Sequence, residues 1–482
     1  MTLRDKISQD AGFQYVVDSM ELMSSAGRNR LLNQPFVTDR TVLESECSNT
    51  ARIIAMLNDS NSRRQVQTIL HQMMQMHDLQ GTISHLQHHF VIEEVELFEV
   101  KHFAFLCQKT NQAAGEAGIA EMLDIPDLSE VFRMLDPDNT GIPGFYIYDS
   151  YHPELHEVRK QLREKQTRLE GCGDDKDENA RLMQEISDLY DRQSRLQQQV
   201  MEKLSEQLST HFAALSKAYD RMAYTDMIFS RAELAVRWGL CRPRFTDVSM
   251  IEYSQLFNPR LRHHKEEAHE RYQPLNVGAN EGVCLITGAN MAGKTVLLKT
   301  LGVAQMMAQF CLYVPAAEAL MTTVDDVVLC VGDEQNEMHG LSSYASEIMK
   351  ISSVIDRSEN EKLLVLIDEP ARTTNPVEGK AIVQGVASLL DRRNSITLIT
   401  THYSQLGLKC RRLRVRGFVD TAVDGVLTPE NINDYMDYSL LPDDNDDVPQ
   451  EAMRIASILH CNKQLLDETR IFIKKGRGTF MR

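Results

Sequence analysis

The sequence predicts an α/β domain built on a parallel sheet, preceded by an all-α region that carries a long antiparallel helical arm. Three observations predict it. Segments of strand and helix character alternate from about 245 to 425, the pattern of a parallel sheet covered by helices. Between 153 and 215 apolar residues recur at three- and four-residue steps, as on helices. Before Gly81 there is hardly a turn signal.

Residues 1–150 form the first division, a helical lever region rich in Met, Leu and Gln to about 125. Pro126, Pro137, Gly141, Pro143 and Gly144 then punctuate the chain, and 145–148 is expected to be a short strand. Residues 151–240 hold the arm. Its first helix carries Leu155, Val158, Leu162 and Leu169. Its second carries Leu182, Ile186, Leu189, Leu196, Val200, Leu204, Leu208, Phe212 and Leu215. So narrow an apolar stripe reads as a coiled-coil seam. Between the helices, Gly171-Cys-Gly-Asp-Asp-Lys-Asp-Glu178 reads as a solvated tip with an exposed Cys172. The stretch 151–220 has 11 Lys and Arg against 14 Asp and Glu, so this arm is no basic tweezer. After a linker containing Pro243 and Pro259, the α/β domain spans 245–430, and a polar break at 442–449 interrupts the tail, 440–482.

A chain of 482 residues with 42% hydrophobic content has room for several cores. It has no apolar run near 18 residues and no apolar signal core at its start, so a cytoplasmic protein without a membrane span is expected. Nine cysteines, an odd number without a Cys-x-x-Cys pair, imply reduced thiols. His85, His89 and Glu93 stand at four-residue steps, but without a second cluster they read as a polar helix face. Acidic residues outnumber basic ones by 69 to 52, a net charge of −17. Phosphate binding by counterion release favours basic surfaces, so this balance disfavours DNA as an obligatory partner.

The chemistry lies in the α/β domain. The buried strand Val283-Cys-Leu-Ile-Thr287 runs into Gly288-Ala-Asn-Met-Ala-Gly-Lys-Thr295, then a helix. This is G-x-x-x-x-G-K-T in the strand–loop–helix context that a P-loop requires. Gly288 and Gly293 let the backbone fold around phosphates, with N–H groups at the helix N-terminus facing their oxygens. Lys294 is expected to reach the β- and γ-phosphates of ATP, and Thr295 to ligate Mg²⁺. Asn290 and Met291 complete the loop. A second buried strand, 363–367, ends in Asp368-Glu369: the first carboxylate suits Mg²⁺, the second an attacking water. A third, 395–399, ends in Thr400-Thr-His402-Tyr, and His402 could touch the γ-phosphate.

From 274 to about 406 the chain resembles the MutS ATPase, a relative of the ABC transporter ATPases. Thr-Gly-Ala-Asn-Met-Ala-Gly-Lys-Thr is similar to the family P-loop, with Ala289 and Ala292 where Pro and Gly are usual. Tyr313-Val-Pro-Ala316 and Gly332-Asp-Glu-Gln335 match further blocks, and Asp368-Glu369 and Thr401-His402 match the metal, catalytic and sensor positions. Leu341-Ser-Ser-Tyr-Ala-Ser-Glu347 resembles the signature segment, which in the family reaches the γ-phosphate of the opposite subunit. The resemblance thereby gives Ser342, and less directly Ser343, a role in trans. It implies a homodimer with composite ATP sites, clasped by a helix-turn-helix at the tail.

Departures narrow the resemblance. Pro370-Ala-Arg-Thr-Thr-Asn-Pro376 replaces the glycine-rich loop that normally follows the acids, although Arg372, Glu378 and Gly379 fit. The Asn-Pro-Val-Glu-Gly block (375–379) is closest in look to the second MutS subfamily, whose nuclease extension is expected to be missing. The mismatch-reading domain has no counterpart, and eight residues at the arm tip leave no room for the DNA clamp. With the Ala-Arg-Thr-Thr-Asn-Pro loop, these features are similar to the reactivase ATPases that accompany cobalamin-dependent lysine aminomutases. The resemblance therefore implies an ATP-driven switch acting on a partner enzyme, with mismatched or branched DNA as the alternative partner.

Overall fold

The computed structural model describes residues 1–8, 10–171, 176–288, 292–331, 343–419, 435–443, 453, 456–457 and 461–479. The chain divides into two compact units, one of residues 21–34 and 49–233, the other of 1–20, 35–48 and 234–482.

The first unit is helical. Helices Arg63–Met74 and Glu94–Glu116 pack together, and Glu94–Glu116 also receives Ser129–Met134. Its centre is polar. Lys101 is fully buried, and its ammonium donates to Asp136 (3.1 Å), the Gly144 carbonyl (2.9 Å) and the Tyr148 hydroxyl (3.0 Å). Burial works against the Asp136 charge. The Thr140 hydroxyl, the Gly141 N–H and Lys101 outweigh it and hold this carboxyl at about 2. This network explains why 145–148 forms no strand: Tyr148 is turned inward to the lysine instead of entering a ladder. Elsewhere, the buried Asp226 accepts the N–H groups of Met23 and Ser24 and the Ser24 hydroxyl, fixing the entry to helix Ser25–Leu32. A Cβ on Gly27 would run into that carboxylate.

Helices Pro153–Gly171 and Lys176–Ser209 lie antiparallel, as their cross-links show: Glu154 with Arg192, Lys165 with Glu185, and Arg168 with Glu178. Leu155, Val158, Leu162, Leu182, Leu196, Val200, Leu204 and Leu208 are buried, whereas Leu169 and Leu189 are only half-buried. The second helix does not continue to Leu215. It stops at Ser209, and a new helix runs Phe212–Trp238. Ser205 and Ser209 turn their hydroxyls onto backbone carbonyls one turn back, a bonding mode that weakens a helix interior. Cys172 lies outside the described residues.

The other unit holds two sheets. The smaller runs β1 (Arg244–Phe245), β5 (Glu318–Met321), β2 (Met250–Leu256), β3 (Leu275–Asn280). The larger runs β10 (Met436–Pro442), β9 (Arg411–Phe418), β4 (Gly282–Thr287), β8 (Ile396–Thr400), β7 (Leu363–Ile367), β6 (Asp326–Cys330). All its pairs are parallel except β9 with the edge strand β10. β4, β7 and β8 are buried along their whole length, as their largely apolar sequences require of strands covered on both faces.

Residues 1–20 and 35–48, which the sequence placed in the 1–150 helical region, fold with this α/β unit. Phe13 and Phe36 pack on Phe310 at the end of helix Lys294–Gln309, with ring centroids 5.5 and 5.4 Å apart. Lys6 is buried against Asp326 (2.5 Å) and the Val327 carbonyl. Of the tail, helix Lys463–Thr479 is described, and most of 444–460 is not.

Candidate functional site

The site forms where β4, β7 and β8 end side by side. β4 delivers the chain into the glycine loop. Gly288 has φ 151° and a Cβ there would stand 3.1 Å from Val415; Gly293 has φ 73° and would press the Tyr438 ring at 3.2 Å. Both positions require glycine, for backbone freedom and for space. Ala289, Asn290 and Met291 lie outside the described residues. Gly293 caps helix Lys294–Gln309, so the helix begins with the lysine itself.

Lys294 is 5% exposed. Its ammonium donates to the Gly288 carbonyl (2.7 Å) and pairs with Glu369 (3.1 Å). Thr295, next along, donates its hydroxyl to Asp368 at 2.6 Å. Asp368 continues from β7, its N–H bonded to the Cys330 carbonyl at the end of β6. Thr400, the last residue of β8, joins the two acids: its hydroxyl donates to Asp368 (2.5 Å) and accepts the Glu369 N–H (2.9 Å). The chain then turns sharply, with Glu369 at φ 42° and Ala371 at φ 60°. Thus Ala371 takes a left-handed conformation in the loop where the sequence lacks the family's glycines. Arg372 stands 4.0 Å from Glu369.

His402 lies within the field of these charges. Partial burial lowers its pKa, outweighing the attraction of Glu369, and Lys294 and Arg372 push the same way. Lys294, Thr295, Asp368, Glu369 and His402 are therefore brought together, as the sequence motifs required. Ser342 lies outside the described residues, as does the 332–335 block.

Of three further features, two carried too little sequence signal to be found, and for Gly379, which fits the family pattern, the sequence hid only its reason. Thr400 was visible only as a strand-end residue. Gly379 leaves space against Tyr403 and Ala371. The third is an apolar cavity of about 260 Å³ beside Gly293, walled by Leu256, Tyr272, Val296, Val415 and Tyr438. Its walls come from segments up to 182 residues apart in sequence, so no local pattern marks it.

The Thr295 hydroxyl and the Asp368 carboxylate are hard oxygen donors 2.6 Å apart, a pair that fits Mg²⁺. A parallel sheet whose inner strand leads through a glycine loop into a buried helix, beside an acidic pair on a neighbouring strand, defines a P-loop ATPase-like protein. Residues 284–428 match the family model described as MutS domain V, which supports a MutS-family protein. It is 31% identical over 228 residues to "Endonuclease MutS2" of Agathobacter rectalis, a match covering 47% of this chain and 28% of that protein. It is 28% identical over 305 residues to "DNA mismatch repair protein MutS" of Thermus aquaticus, covering 61% and 36%. The "Endonuclease MutS2" of Bacillus velezensis is 32% identical over 211 residues, covering 43% and 26%. The matched region thus spans about a third or less of each of these relatives.

Proposed function

We propose that the chain is a Mg²⁺-dependent ATPase that works as a dimeric, ATP-driven conformational switch. The observation that carries this reading is the convergence of Lys294, Thr295, Asp368 and Glu369 at the ends of adjacent strands. The nucleoside enters the cavity beside Gly293, where Tyr438 offers an aromatic wall, and the phosphates lie over the glycine loop. Lys294 binds their oxygens. Thr295 and Asp368 would hold Mg²⁺, which when bound would neutralise charge on the phosphates. Glu369 orients the attacking water and accepts its proton. His402 contacts the terminal phosphate. Asn290, Met291 and Ser342 keep the roles that the family resemblance implies, with Ser342 acting on the partner subunit's nucleotide and the 440–482 tail clasping the dimer.

For the partner we favour a protein, an enzyme of the cobalamin-dependent aminomutase type. Supporting this, the helical unit carries 31 acidic against 21 basic residues. Its helix pair would then be a coiled-coil lever that relays nucleotide state. The names of the relatives favour a second reading, DNA. No helix among the described residues is long and apolar enough to cross a membrane, and we place the protein in the cytoplasm. The decisive test is ATPase activity of the purified protein, with and without duplex, mismatched and branched DNA at near-physiological salt. Turnover that Lys294→Ala abolishes is expected, with no DNA stimulation. Full turnover in that variant refutes the phosphate site, and tight, salt-sensitive DNA binding that changes with nucleotide establishes the second reading.

A further inference from the structure

Ala371 is a buried non-glycine residue at φ 60°, a conformation that L-residues rarely adopt and that needs its surroundings to hold it. Two side chains do so from opposite sides. Its N–H donates to the Glu347 carboxylate at 3.4 Å, and its carbonyl accepts from the Tyr403 hydroxyl at 3.3 Å. Glu347 lies in the second turn of helix Ser343–Arg357, and Tyr403 follows His402 beyond β8. A third element makes room: a Cβ on Gly379, in helix Pro376–Leu390, would collide with the Tyr403 hydroxyl and stand 3.1 Å from the Ala371 carbonyl.

The held residue is two positions from Glu369, which is itself left-handed at φ 42°, with only the rigid Pro370 between them. Thr400 fixes the Glu369 N–H on one side of this turn. We infer that Glu347 and Tyr403 are positioning residues for hydrolysis: by clamping both backbone groups of Ala371 they set the direction of the Glu369 carboxylate. This rests on the reading of Glu369 as the group that handles the attacking water. Glu347 also ends the 341–347 segment and stands on helix Ser343–Arg357, so a shift of that helix moves the clamp. The clamp therefore acts on turnover rather than on ATP binding.

Steady-state ATPase kinetics of the full chain test the clamp. Tyr403→Phe removes one hydroxyl and is expected to lower kcat about three- to tenfold, the worth of a neutral hydrogen bond, with KM for ATP within about twofold. Glu347→Ala should do the same, whereas Glu347→Gln, which keeps an acceptor oxygen, should stay within about twofold of wild type. Glycine holds a positive φ unaided. Adding Ala371→Gly to Tyr403→Phe should therefore restore most of the lost rate, which it would not do for damage elsewhere in the fold. An unchanged kcat in Tyr403→Phe, a KM that rises in step, or no recovery with Ala371→Gly overturns the clamp. Failure of the parent reading looks different: the wild type does not hydrolyse ATP, or Glu369→Gln turns over as fast as it does.

Discussion

Thr400→Val isolates the hydroxyl that joins the two acids. The threonine is fully buried and valine has nearly its shape, so the change removes one donor and little packing. Asp368 loses a 2.5 Å bond to an ionised group, the kind worth about 1.5–3 kcal/mol. The Glu369 N–H loses the hydroxyl but keeps the Thr400 carbonyl at 3.2 Å, so it is not orphaned. Asp368 is only half-buried and retains Thr295, which places the loss at the lower end, about 1.5–2 kcal/mol, or about 10- to 30-fold. The assay is ATPase rate against Mg²⁺ concentration at fixed ATP. The half-saturating Mg²⁺ is expected to rise or kcat to fall by that factor, while the melting temperature barely moves. Thr400→Ser, which keeps the hydroxyl, should lie within about threefold of wild type. If Thr400→Val keeps both parameters within twofold, the bridge does not position the metal-holding carboxylate.

Glu369→Gln should bind ATP yet hydrolyse it very slowly, accumulating a closed dimer; a monomer under saturating ATP in sedimentation velocity refutes the sandwiched site. Lys101→Met strands the buried Asp136 without its cation and should cost about 3–5 kcal/mol, read as a lower thermal midpoint, with Asp136→Asn added to it recovering most of the loss. Because Asp136 is held at about 2, its contribution, about 2 kcal/mol, is fully present above its ordinary value near 4 and is lost as pH falls through 2. Acid melts of the wild type between pH 4 and 2 should therefore lose a step that Asp136→Asn lacks. His402 has a folded pKa below its ordinary 6.5, so it is neutral at pH 7 and charges only as pH falls below that value. Turnover should be flat from pH 7 to 8, and an acid limb below 6.5 should be missing in His402→Gln.

What the sequence revealed and what it hid follow from how local each signal is. The glycine loop, the acidic pair and the strand-end histidine are contiguous motifs on largely apolar strands, so their positions on the sheet were readable one strand at a time. The helix pair was readable because its seam repeats along each helix. The break at Ser209 was not, because Leu208, Phe212 and Leu215 keep the apolar spacing across it while serine hydroxyls decide the backbone. The membership of residues 1–20 was hidden for another reason. Nothing in that segment differs in composition from the helices that follow. Its place is set by Phe13 finding Phe310, and Lys6 finding Asp326, about 300 residues away. Similarly, the expected strand at 145–148 has a good β pattern, but a buried lysine claims Tyr148 first.

The same geometry indicates how nucleotide could drive a switch. A ligand moves an equilibrium only by its differential affinity for the two states. Lys294 is buried and shared between the Gly288 carbonyl and Glu369. A phosphate drawn to that ammonium competes with Glu369 for it, so binding at one end of the crevice changes the charge balance at the other. Glu369 is tied through Pro370 to Ala371, and Ala371 through Glu347 to helix Ser343–Arg357, whose far end pairs Arg357 with Asp326 at 2.8 Å. Asp326 also holds Lys6. Charge placed at the glycine loop therefore has a continuous path of polar contacts to the N-terminal helix Leu3–Ile7, within one unit. Spatial continuity alone does not establish coupling. Double-mutant cycles between Lys6→Met and Tyr403→Phe measure it: a coupling above about 0.5 kcal/mol in kcat supports the path, and simple additivity removes it.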